Sequence, residues 1–299
     1  MRHPERAGLL FALGGFALLS CGDAVIKSMS GMWSPTAMAT LRYVFGAAGL
    51  AAILAVREGR AGFAIPAPKA QLLRAVGICL SSAGFFSAVM IMPLSEATSI
   101  SFTSPMITAV LAALFQSEPA RRETWIASAV AFVGVLIVLR PSFAALGLSA
   151  LLPLMSALGM SMLIIGNRAA AGKASALSMQ YLLAVFAIPL LLVISWIGHL
   201  SGMPRLAVDF PPPSVIARCA LIAASASVAH YLIYLGTTRA GAATIAPMTY
   251  VQLIVALGMG WVFFAEAPDA VAMGGAAIII SAGLYLWHAG RFREPTMTD

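Results

Sequence analysis

Ten apolar runs, each close to the length of a membrane crossing, follow one another along this chain with only short charged or Pro/Gly-rich stretches between them. They cover 8–28, 35–56, 72–92, 97–117, 124–140, 146–167, 175–198, 213–236, 241–264 and 270–289. The hydrocarbon layer of a bilayer is about 30 Å thick and a helix rises about 1.5 Å per residue, so roughly 20 residues cross it. None of the runs alternates apolar and polar residues as a barrel strand does. Lipid offers no partner to an open backbone, so each run is expected to be a helix. The expected fold is all-α: a polytopic membrane protein of about ten transmembrane helices. Only 10% of the 299 residues are charged and 61% are hydrophobic, whereas soluble domains carry about a quarter charged residues. Water could not solvate such a surface, so the lipid bilayer is the expected partner. The connections leave no room for a separate soluble domain. Pro93-Leu94-Ser95-Glu96 reads as a tight turn between antiparallel neighbours.

The net charge is +7, but the basic residues sit singly or in pairs between apolar runs and form no basic-aromatic module. Nucleic acid is therefore not an expected partner. Their distribution is an orientation signal instead. Thirteen Lys and Arg residues fall on the side of the N-terminus, four (Lys27, Arg140, Arg205 and Arg218) fall on the other, and Arg42 lies within a span. Both termini are expected in the cytoplasm, with the chain in the cell inner membrane. Arg2, Arg6 and the stretch ending Leu18-Leu19-Ser20-Cys21 loosely mimic a lipoprotein signal. The same stretch makes a good first span, and nine more follow it.

At an offset of 148 residues Phe115 matches Phe263, Glu118 matches Glu266, Ala129 matches Ala277 and Leu136 matches Leu284. Each half repeats a grammar of span, glutamate, short turn and Gly/Ala-rich span. This predicts a first five-helix repeat over 1–145 and a second over 146–299, joined in one membrane domain. Five is odd, so the second repeat enters the bilayer from the opposite face. Inverted repeats of this kind are an architecture for alternating access.

Several familiar chemistries are absent from the pattern. Cys21, Cys79 and Cys219 lie far apart in apolar runs, and His3, His199, His230 and His288 share no spacing, so neither a disulfide framework nor a metal site is expected. Gly166 to Lys173 has the ends of a nucleotide loop, but five residues separate its glycines and Ala174 replaces the Ser/Thr. An intramembrane enzyme would want paired aspartates or a Ser/His couple. No Gly-x-Ser-x-Gly is present and Asp23 is the one acid well inside a span. No catalytic residue and no cofactor is expected.

Intramembrane charge is costly and faces protein or water. Asp23 and Lys27 are one turn apart and can pair on one helix face, as a solute- or proton-responsive couple or as a structural ion pair. Lys27 can also reach the interface. Arg42 can receive a carboxylate or pair with Asp23. Glu118 and Glu266 end their spans and read as helix termini. Near mid-membrane lie Tyr250 and Gln252 in span nine, His230 and Tyr234 one turn apart in span eight, and Ser104 beside the helix-breaking Pro105 in span four. Phe85, Phe86 and Met90 in span three can line a pocket for an apolar side chain. Together these groups suit a zwitterion or small polar solute with an apolar part.

Three stretches carry a family resemblance. Glu96-Ala97-Thr98-Ser99-Ile100-Ser101-Phe102-Thr103-Ser104-Pro105, closing on Glu118, resembles the fourth span of EamA-type transporters of the drug/metabolite transporter superfamily. Ala246-Pro247-Met248-Thr249-Tyr250-Val251-Gln252-Leu253, closing on Phe264-Ala265-Glu266, resembles the matching span of the second repeat. Lys27 and Leu41-Arg42-Tyr43 stand where that family often has Lys and Arg-aromatic. The second repeat departs from the first, with Leu253 where the first has Pro105 and its own Pro247 placed earlier. The resemblance implies ten helices in two inverted repeats with a solute path between them. It further implies a secondary transporter or facilitator of small metabolites, such as an amino-acid exporter or an importer of S-adenosylmethionine. The oligomeric state is left open.

Overall fold

In the computed structural model, the described residues are 3–115, 122–170, 172–240, 246–267 and 269–291. Among them the chain is helical throughout, with no strand. The helices are α1 (His3–Lys27), α2 (Pro35–Arg57), α3 (Pro68–Val89), α4 (Leu94–Ser101), α5 (Ser104–Phe115) and α6 (Arg122–Leu146), then α7 (Leu152–Ala170), α8 (Ala176–Leu200), α9 (Pro213–Ala240), α10 (Val251–Phe264) and α11 (Ala270–Arg291). Six are long and apolar enough to cross a bilayer, and shorter apolar helices lie over Trp125–Val138, Met248–Phe264 and Ala270–Tyr285. Large apolar side chains such as Trp196, Leu200, Ile254 and Trp261 remain exposed. That is the expected exterior of a protein whose solvent is lipid.

The count of ten spans follows if α4 and α5 are one broken crossing, and the 3₁₀ turn Ala246–Tyr250 with α10 is another. Helical geometry lapses at Phe102 and Thr103. Pro105 sits in the first turn of the new helix α5, where its missing N–H costs nothing. Residues 102 and 250, the two break positions, share the 148-residue register. The expected turn at Pro93–Glu96 is displaced. The chain turns over Met90–Met92, and Leu94–Glu96 already form the first turn of α4. Glu96 in that turn is favoured by the positive end of the helix dipole.

Four antiparallel pairings hold the bundle together: α1 against α9, α3 against α7, α6 against α11 and α2 against α8. Small residues make the closest of them. A Cβ on Gly77 of α3 would stand 2.6 Å from the carbonyl oxygen of Gly159 on α7, so the two backbones touch directly. Without a hydrophobic drive between helices in lipid, such close packing supplies the attraction. Helix α3 is the most enclosed of the long helices. At its N-terminal end Arg74 is itself buried, bonded to Asn167 Oδ1 at 2.6 Å and to Met179 O at 3.0 Å, and it ties α3 to α7 and α8.

Candidate functional site

Helix α1 presents a polar stripe of Ser20, Asp23 and Lys27, spaced so that the three side chains stack on one face. The face of the membrane where α1 begins is called here the near face, and that where it ends the far face. Each residue of the stripe meets a different part of the bundle.

At the far face, Lys27 Nζ pairs with Glu266 Oε1 at 2.6 Å. It also donates to the carbonyls of Met92 at 2.7 Å and Val89 at 3.0 Å, and lies 5.5 Å from the ring centre of Phe264. Glu266 Oε2 accepts the N–H of Leu94 at 3.0 Å. One ion pair thus gathers the ends of α1 and α3, the start of α4 and the residues just past α10. The expected Asp23–Lys27 pair does not form. Lys27 turns away along its helix to an anion and two carbonyls, which together satisfy an ammonium better than one carboxylate does. Glu266, read from sequence as a helix terminus, is a partner in the lock. A cavity of about 210 Å³ lies beside it, lined by Ser95 and Ser99 of α4, Leu253 and Leu257 of α10, and Asp269 and Met273 at the start of α11.

One turn deeper, Asp23 and Arg42 line a small cavity of about 20 Å³ with Gly22, Ile222 and Ser225. No carboxylate among the described residues lies within ion-pair distance of Arg42, and Asp23 has no such cation. The guanidinium is held between aromatic rings instead, 4.9 Å from the centre of Tyr43 and 5.5 Å from that of Phe86. The Tyr43 hydroxyl is shared with Ser82 Oγ at 3.1 Å. His230 on α9 is exposed and, like Asp23, lies within electrostatic reach of Arg42. The expected structural pair of Arg42 with Asp23 is therefore absent, and the two charges face one space.

The remaining expected residues lie around the helix breaks. Tyr250 meets Phe102 edge to face, ring centres 5.5 Å apart. Gln252 Nε2 donates to Thr249 Oγ1 at 3.0 Å, so its amide serves its own turn. Its carbonyl receives Ser20 Oγ at 2.9 Å, one turn before Asp23. Ser104 is buried, and its carbonyl accepts Ser161 Oγ at 2.9 Å. Phe86 lies beneath Arg42 rather than with Tyr250. The side chain of Tyr234, and Glu118 altogether, lie outside the described residues. The structure therefore divides the expected set in two: Arg42, Asp23, Phe86 and His230 form one group, and Tyr250, Gln252 and Ser104 form another, joined through the stripe on α1. Sequence reasoning gave no site role to Tyr43, Ser82, Ser20 or Ser161. Tyr43 was legible as part of Leu41-Arg42-Tyr43, whereas isolated serines in apolar runs carry no signal of their own.

Comparison with known proteins bears on the fold and class of the chain. Residues 6–140 match the model of the EamA-like transporter family. A riboflavin transporter of Rhizobium johnstonii is 29% identical over 242 residues, 80% of this chain and 76% of that protein. An S-adenosylmethionine uptake transporter of Rickettsia bellii is 26% identical over 269 residues, 89% and 88% of the two chains. A pseudopaline exporter of Pseudomonas aeruginosa is 25% identical over 286 residues, 94% and 96%. One protein crystal structure shares the fold at a TM-score of 0.60 and 18% identity, covering 96% of this chain and 99% of that one. The chain is thus an all-helical polytopic membrane protein that resembles the EamA-like transporter family over residues 6–140 and, over most of its length, proteins named as transporters of the drug/metabolite type.

Proposed function

We propose that this transporter moves a zwitterionic small metabolite, an amino acid or a derivative of one, outward across a bacterial inner membrane by alternating access. The observation that carries the reading is the couple of Asp23 and Arg42, opposite charges that line one cavity without pairing. A solute carboxylate takes the guanidinium, whose planar fork and aromatic bed suit it. The solute ammonium takes Asp23. Phe86 beneath Arg42 accepts the apolar part with His230 beside it, and Tyr250, Gln252 and Ser104 line the path farther along at the helix breaks.

The halves 1–145 and 146–299 act in this reading as two inverted repeats. Support comes from the packing: exchanging each span for the one five later maps α1 on α9 onto α7 on α3, and leaves α2 on α8 and α6 on α11 unchanged. The two helix breaks at a common register support it as well. With both termini cytoplasmic, as the basic residues favour, the far face is external and the Lys27–Glu266 pair closes the outer gate.

Purified protein in liposomes, offered labelled amino acids, tests the proposal. The solute carried should lose affinity about ten- to hundredfold in Arg42→Lys, since a charged hydrogen bond contributes about 1.5–3 kcal/mol. Asp23→Asn should act alike. Transport confined to solutes without a carboxylate, or unaltered by Arg42→Lys, refutes it. The S-adenosylmethionine uptake relatives favour a second reading, the same amino-carboxylate headgroup on a larger solute carried inward. Adding labelled S-adenosylmethionine on either side of the liposome separates the two.

A further inference from the structure

Each helix break is held by a buried serine from the opposite half. Ser20 on α1 donates to the carbonyl of Gln252 at 2.9 Å, and Ser161 on α7 donates to that of Ser104 at 2.9 Å. Ser104 and Gln252 stand at the common register of 148, each two residues beyond its break aromatic, and those aromatics, Phe102 and Tyr250, touch. Both serines are 0% exposed. The two acceptor carbonyls therefore occupy corresponding places in the two halves, where the broken helices meet.

They are not chemically equal. A hydroxyl has one proton, and that of Ser161 has two acceptors: Ser104 O, and Ala157 O on its own helix at 2.8 Å. Ser104 O in turn also receives Thr108 Oγ1 at 2.7 Å. If α5 slides past α7, Ser161 keeps a partner on its own helix and Ser104 keeps Thr108. Ser20 makes one bond among the described residues, to Gln252 O. Separation of α1 from α10 strands a buried hydroxyl until its side chain rotates, and a stranded donor carries the full desolvation cost. The inequality also lies in the sequence, because Thr108 has Ala256 at its counterpart position and the second break has no such hydroxyl.

We infer that Ser20 and Ser161 are positioning residues for the two broken helices, with Ser20 fixing the second-half break to α1 as a fulcrum and Ser161 letting the first-half break shift along α7. The α4–α5 crossing is then the helix that moves, and α10 is the one held. The inference concerns which helix moves and stands apart from the identity of the solute.

Hydrogen–deuterium exchange on the purified full chain in nanodiscs, with no solute added, tests it. In the parent, amides over Ser104–Thr108 should exchange faster than those over Val251–Ala256. Ser20→Ala should speed exchange over Val251–Ala256 about fivefold, the loss expected of one buried neutral hydrogen bond, while Ser161→Ala changes Ser104–Thr108 less than twofold. Ser20→Cys, nearly isosteric with a weak S–H donor, should fall between serine and alanine. A general loosening of the bundle would instead raise exchange in α3 and α8 too, and would not follow the order Ser, Cys, Ala. Equal effects of the two alanine variants, or no effect of Ser20→Ala, overturn the inference.

Discussion

Replacement of Glu266 by glutamine removes one charge from the far-face lock and leaves its shape. The pair is mostly enclosed, with side chains 10% and 18% exposed for Lys27 and Glu266. An exposed ion pair contributes about 0–1 kcal/mol, while removing one partner of a fully buried pair costs about 3–5 kcal/mol. Here Lys27 keeps the Val89 and Met92 carbonyls after the substitution, and the glutamine oxygen still accepts the Leu94 N–H. What disappears is charge attraction in a half-dry place, so a value of about 2 kcal/mol between those limits is appropriate. At about 1.4 kcal/mol per factor of ten, the ratio of open to closed far face rises roughly 30-fold. A state open about 1% of the time becomes open about a quarter of the time. Ser225, which lines the Asp23–Arg42 cavity, reports this when changed to cysteine in a variant with Cys21, Cys79 and Cys219 replaced by alanine. A charged methanethiosulfonate reagent on the far-face side of membrane vesicles should label Ser225→Cys, in proportion to the open fraction, roughly 20-fold faster with Glu266→Gln than without it. Exchanging the charges, Lys27→Glu with Glu266→Lys, should not restore slow labelling, because two carbonyls then face a carboxylate and the Leu94 N–H faces an ammonium. Labelling within twofold of the parent, or full restoration by the exchange, refutes the lock.

Gly77→Val places atoms where the Gly159 carbonyl already stands, and the overpacking should cost about 1–3 kcal/mol, read as an earlier midpoint in thermal unfolding in detergent; an unchanged midpoint contradicts the packing. Tyr250→Ala removes an edge-to-face pair contributing about 0.5–1.5 kcal/mol, so transport should weaken several-fold rather than cease. Cysteines at 250 and 252 should be shielded from thiol reagents by saturating solute; equal labelling with and without solute moves the binding group to Arg42 and Phe86 alone. A periplasmic phosphatase fused after Arg291 should be inactive, and strong activity there reverses the proposed orientation.

The crossings were legible in the sequence because lipid leaves a long apolar run no choice but to close its hydrogen bonds upon itself. Pro105 and Pro247 marked the neighbourhood of the two helix breaks for a similarly local reason, the missing N–H. Asp23, Lys27 and Arg42 announced themselves as groups that must avoid lipid. Which partner each one found was a different matter. Sequence spacing offered Lys27 the carboxylate of Asp23, four residues away, yet tertiary packing gave it Glu266, 239 positions along the chain. Tyr250, Gln252, Ser104 and His230 were grouped by depth alone, and the structure set His230 with Arg42 and the other three at the helix breaks, because helix rotation about its own axis is set by neighbours and not by hydropathy. Ser20 and Ser161 were invisible for the same reason: a serine in an apolar run becomes a clamp when a broken helix from the other half presents a carbonyl to it. Solvent alone decided that the chain forms helices that cross the bilayer, so the sequence suffices for that; the crossing of distant helices decided which polar groups meet, and only the folded bundle contains that information.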